Sequence, residues 1–124
     1  MFVRKAVVTD VYDGDTVKVV ADLGFGIFTK QTVRLAGIDT AELRDKKNLA
    51  KAEGAKKFLV DAVLNKEVTL KSLKPKLDKY GRYIAFLYFD DQEKSVNDQM
   101  VDNGHAKPYD GKRKRPSHDD PEKK

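Results

Sequence analysis

Four short segments concentrate the polar residues able to do chemistry: Asp13-Gly14-Asp15-Thr16, the run Arg34-Leu35-Ala36-Gly37-Ile38-Asp39-Thr40-Ala41-Glu42, Asp78-Lys79-Tyr80-Gly81-Arg82, and Val96-Asn97 with the later Gly104-His105-Ala106-Lys107. Two aspartates with a backbone carbonyl make a hard oxygen site, suited to Ca²⁺ or Mg²⁺ rather than to zinc. Two arginines offer planar, permanently charged forks that match phosphate oxygens bidentately. A third carboxylate held off the metal could accept a proton from water. A metal, two guanidiniums and a base suffice to hydrolyse a phosphodiester, because positioned cations count most where charge builds on the phosphate oxygens.

Such groups act together only if the backbone makes them converge. Arg34 and Asp39 are separated by five positions, so an unbroken strand would point them to opposite faces. The strand must therefore end or bulge between them, and Gly37 is where that is easiest. Asp15 shares parity with Val17 and Val19 and is expected to point partly inward, where a carboxylate is costly unless a cation meets it.

The elements that must do this positioning are legible in the hydrophobic pattern. Segments 2–8, 11–12, 16–21 and 27–36 are rich in β-branched and aromatic residues. Asp13-Gly14-Asp15 and Leu23-Gly24-Phe25-Gly26 punctuate them into a three-stranded antiparallel meander. A helix is expected over 49–64, with Ala52, Ala55, Phe58, Leu59, Ala62 and Val63 on its apolar face and Asn65 as its stop. Strands follow at 67–73 and 83–89, then a second helix over 96–103, started near Ser95 and ended by Gly104. Asn97 is expected to hydrogen-bond buried backbone. Five strands with a helix between the third and fourth, plus a C-terminal helix, is the order of an OB-type barrel, mainly β with helices.

Composition narrows the chemistry further. The chain has 124 residues, 25 Lys and Arg against 20 Asp and Glu, and a net charge of +5. That length suits one compact domain. The charge is uneven: from Lys112 onward six basic groups face three acidic ones, so more than half of the surplus lies at the C-terminal end. The division expected is a folded unit over 1–107 and an irregular basic tail over 108–124, whose Lys112-Arg113-Lys114-Arg115 run either aids solubility or strengthens nucleic-acid binding. With no cysteine, disulfides, thiolate nucleophiles and Cys-based metal sites are excluded. The two histidines, His105 and His118, fall outside the chemical segments and are set aside for catalysis. No stretch approaches the roughly 20 apolar residues of a membrane span. As written, the chain lacks a secretory leader and is expected to stay in the cytoplasm, with secretion open should a leader have been removed.

Taken in order, VYDGDTVKV, VRLAGIDTAE, DKYGR and the VND…NGHAK segment closely resemble the thermonuclease, or staphylococcal-nuclease-like, family, over about residues 5 to 107. The small bacterial and bacteriophage-borne members are the most similar. The resemblance implies an OB-fold, Ca²⁺-dependent phosphodiesterase acting on DNA and RNA with little sequence specificity, leaving 3′-phosphate and 5′-hydroxyl ends. It implies Asp15 and Asp39 as calcium-binding carboxylates and Thr40 as a carbonyl ligand. Arg34 and Arg82 are similar to the phosphate-binding pair, Glu42 to the residue that positions or deprotonates water, and Lys79 and Tyr80 to positions bordering the nucleotide. Mg²⁺ or Mn²⁺ could stand in for Ca²⁺, and a monomer is expected.

Two departures from the family pattern stand out. Ala41 occupies the place where the family usually has proline, and after Lys107 the chain runs into Pro108-Tyr109-Asp110-Gly111 rather than tyrosines and a last helix. The rival reading is a catalytically weak module of the same fold that binds nucleic acid or protein. Such modules usually lack one or more of the acidic and arginine positions, and none is missing here.

Overall fold

A computed structural model describes residues 2–72, 81–90, 92–110 and 115–119. Strand β1 (Phe2–Asp13), β2 (Thr16–Gly24) and β3 (Ile27–Leu35) form the expected meander. Two further strands, β5 (Glu67–Ser72) and β6 (Tyr83–Tyr88), close it into a barrel of order β1-β2-β3-β6-β5. The closing pair β3 and β6 is parallel, with Arg34 opposite Ile84 and Leu35 opposite Ala85. The architecture is the five-stranded barrel with two helices that the pattern of elements implied.

Strand alternation explains which side chains fill the barrel. In β2, Val17 and Val19 are buried and Lys18 is exposed; in β3, Val33 and Leu35 are buried while Arg34, between them in sequence, lies on the other face. Helix α1 (Leu49–Val63) follows a 3-10 turn at Lys46–Asn48, which Asp45 caps by accepting from the Lys47 N–H. It lays Ala52, Ala55, Leu59 and Val63 against the barrel, with Phe58 and Ala62 packed partly buried beside them. Asn65 ends it in the left-handed region, at φ 61°, where an asparagine is better tolerated than most residues. Helix α2 (Val96–Asp102) starts as expected on Ser95, whose hydroxyl accepts from the Asp98 N–H at 3.0 Å. No pattern along the chain announced a second, two-stranded sheet, in which β4 (Ile38–Asp39) pairs with β7 (Lys107–Pro108). The 107/108 division drawn from composition thus falls inside β7.

Asn97 ties these parts together. It is fully buried, accepts from the Leu87 N–H at 3.0 Å, and donates to the carbonyls of Ala36 at 2.7 Å and Ala85 at 3.2 Å. The turn after β3 is thereby pinned to β6 and α2. Asn97→Ala would strand the Leu87 N–H in the core and leave the Ala36 carbonyl without this donor, so unfolding titrations should show a loss of about 2–3 kcal/mol. A change below about 0.5 kcal/mol would show that the pin contributes nothing.

Candidate active site

Local chain geometry delivers the acidic and basic residues to one place. Asp13 Oδ1 accepts from the Asp15 N–H at 3.1 Å, folding the tight turn between β1 and β2, and the Asp15 carbonyl accepts from the Leu35 N–H at 2.8 Å. Gly14 is required there because a Cβ would stand 2.7 Å from the Cβ of Ala55 and 3.0 Å from the Thr40 side chain. That close approach lets the turn nest between α1 and the loop carrying Thr40. On the other side, β3 ends at Leu35 and Gly37 takes φ +76°, so the chain reverses within two residues and swings Asp39 back toward Arg34.

The convergence that parity forbade on an unbroken strand is achieved by this break. Arg34 Nη1 lies 3.0 Å from Asp15 Oδ2, and its Nη2 donates to Asp39 Oδ1 at 3.4 Å and to the Ile38 carbonyl at 3.1 Å. Asp15 Oδ2 also accepts from the Thr40 N–H at 3.1 Å. Asp39 is fully buried and Asp15 is 7% exposed, so both carboxylates rely on these donors in place of water. Asp15, Arg34, Asp39, Thr40, Glu42 and Arg82 all line a single open groove of about 880 Å³. Arg82 enters it from the residue before β6, where its Nη1 meets the Thr16 hydroxyl at 3.5 Å. Lys79 and Tyr80 lie outside the described residues.

The electrostatics of the groove are mixed in sign. Glu42 is held below the ordinary glutamate range, first by a hydrogen bond from Arg44 (Nε to Oε2, 2.7 Å) and second by Arg115. It therefore stays ionised. Burial, reinforced by the negative charge of Asp15, pushes Asp13 up to about 6. Carboxylates crowded to this extent at one mouth attract a cation.

Asp13 shapes the turn that its segment signalled, whereas two participants were not picked out from sequence. Arg115 Nε donates to Asp39 Oδ1 at 2.9 Å, its Nη2 to Asp39 Oδ2 at 3.2 Å and to the Thr40 carbonyl at 3.4 Å, and its Nη1 to Glu42. His118 Nε2 lies 2.8 Å from Asp39 Oδ2. The basic run that contains Arg115 was visible, but nothing in it distinguished Arg115 from its neighbours, and His118 carried no signal at all. Lys112, Arg113 and Lys114 lie outside the described residues.

Among the described residues no three His, Asp or Glu side chains are arranged to hold a metal by themselves. The donor set on the groove is instead two carboxylates, Asp15 and Asp39, with the Thr40 carbonyl. A cation already bridges part of it, since the Arg115 guanidinium sits on both Asp39 oxygens and the Thr40 carbonyl. These all-oxygen donors therefore fit a hard divalent cation that keeps some of its waters.

A family model described as "Staphylococcal nuclease homologue" matches residues 32–123, most of the chain. The chain belongs to that family. A staphylococcal nuclease homologue thus carries the groove just described, and the closed barrel is consistent with that family's OB-type fold. Among the curated proteins, an uncharacterized protein of Methanocaldococcus jannaschii is 31% identical over 82% of this chain. The chain spans only 58% of that relative's length. Among the described residues, no helix of this staphylococcal nuclease homologue is long and apolar enough to cross a membrane.

Proposed function

We propose that this protein is a Ca²⁺-dependent endonuclease that hydrolyses phosphodiester bonds of DNA and RNA with little sequence specificity. It acts as a monomer and leaves 3′-phosphate and 5′-hydroxyl ends. The observation that carries the reading is the convergence of Asp15, Arg34, Asp39, Glu42 and Arg82 on one groove, in a chain of a nuclease family. Each residue type has one task in such a reaction. Arg34 and Arg82 hold two phosphate oxygens and neutralise the charge that develops on them. Glu42 orients a water molecule and takes its proton as the water oxygen attacks phosphorus in line. The bond from phosphorus to the 5′ oxygen breaks, and that oxygen leaves as a hydroxyl after protonation. Bound by Asp15, Asp39 and the Thr40 carbonyl, calcium would supply further positive charge against the scissile phosphate. Mg²⁺ or Mn²⁺ would fit the same oxygen donors.

The test is cleavage of plasmid DNA and of single-stranded RNA with Ca²⁺, Mg²⁺, Mn²⁺ or chelator, followed by end-group analysis. Degradation of both polymers with Ca²⁺, its loss with chelator, and 3′-phosphate products are expected. No cleavage of either polymer at any metal concentration would leave the binding-module reading, which draws its support from Arg115 lying on Glu42 and Asp39.

A further inference from the structure

The segment Arg115–Asp119 is held against the groove by a set of polar contacts. Arg115 binds Asp39, Thr40 and Glu42. His118 meets Asp39, and the Asp119 carboxylate accepts from Asn48 Nδ2 at 2.9 Å and Lys47 Nζ at 3.0 Å. Lys51 and Lys107 donate to the carbonyls of His118 and Ser117. None of the five residues is buried. Polar contacts of this kind, made by residues that stay partly exposed, can be replaced by water, salt and competing ions.

What it covers cannot be shared. Asp39 is fully buried and has only two oxygens, on which Arg34, Arg115 and His118 already converge. The Thr40 carbonyl and Glu42 are taken by the same guanidinium. A divalent cation directly bound to Asp39 and the Thr40 carbonyl would occupy the place of Arg115, and like charges cannot stack there. A water bound to Glu42 Oε1 would compete with the same side chain.

We propose that residues 115–119 form an intramolecular latch in which the Arg115 guanidinium competes with the divalent cation for Asp39 and the Thr40 carbonyl and masks Glu42. The latch rests on the metal-site reading above. In the closed state the cation site is filled by the chain's own charge, so apparent metal affinity is reduced by the fraction of time the latch is open. Binding of cation and phosphodiester then selects the open state, and release restores the closed one.

Two measurements on the full chain test this. Calorimetric titration with Ca²⁺ alone should show Arg115→Ala binding about tenfold more tightly than the parent, the factor for a latch open about one-tenth of the time. Arg115→Gln should follow it. NMR should show the Arg115 Nε–H of the parent exchanging more slowly than a free guanidinium proton without metal, and faster once Ca²⁺ is added. Asp39→Asn should speed that exchange about tenfold with no metal present. Equal or weaker Ca²⁺ binding by both Arg115 variants overturns the latch and leaves the metal site standing. Absence of Ca²⁺ binding in parent and variants alike overturns the metal-site reading and the competition with it. An Arg115 Nε–H unaffected by Asp39→Asn overturns the latch whatever the metal does.

Discussion

Glu42→Gln should lower the rate of Ca²⁺-supported cleavage by about 10²–10⁴-fold, the range for loss of a positioned proton acceptor. Glutamine keeps the size and hydrogen-bonding shape of the side chain but cannot take a proton at neutral pH. Glu42 lies on the groove wall and is partly exposed, so the substitution should leave the fold intact. Affinity for nucleic acid should hold or tighten, because one negative charge facing the polymer is removed. Single-turnover cleavage and a binding titration in chelator, run on the same preparation, separate the two effects. A fall of less than about threefold would remove Glu42 from the chemistry and favour the binding-module reading.

Arg82→Ala should reduce turnover by about 10²–10³-fold, as expected when one cation aimed at developing phosphate charge is lost. Arg82 is a cleaner probe than Arg34. The Arg34 guanidinium bridges Asp15 and Asp39, both buried, so its truncation would leave carboxylates with fewer donors and mix a folding defect with the chemical one. Arg82 meets the Thr16 hydroxyl at 3.5 Å. Arg82→Lys should recover a part of the rate and not all of it, since a lysine restores the charge without the bidentate fork. Binding of DNA at low salt should weaken modestly and show a shallower salt dependence, as one phosphate contact is removed. An Arg82→Ala chain that cleaves at the parent rate would place the phosphate elsewhere.

Several features of the site were readable residue by residue. The five-position separation of Arg34 and Asp39 required a break in the strand, and Gly37 supplies it at φ +76°. The parity of Asp15 with Val17 and Val19 implied an inward carboxylate in need of a cation, and Arg34 lies 3.0 Å away. The apolar stripe of α1, the Ser95 start of α2 and the buried hydrogen bonding of Asn97 followed from period and side-chain chemistry. These are short-range consequences of backbone geometry, and each leaves a mark within a few residues in the sequence. The pairing of β4 with β7 left no such mark, because two residues are too few to show an alternation. The contacts of Arg115 and His118 with Asp39 left none either.

By itself the sequence determined the order of strands and helices, the inward and outward faces of each, and the set of residue types able to bind a cation and a phosphate. These depend on local propensity and on a periodicity of two or 3.6 residues. Only the tertiary structure decided that Asp15 and Asp39, from different segments, share one guanidinium, and that residues 76 and 79 positions beyond Asp39 return to cover it. The physical reason is that closing the barrel brings distant loops to one rim. Once there, a fully buried carboxylate binds whatever cation the chain can deliver, and where along the chain that cation lies is not written in any local pattern.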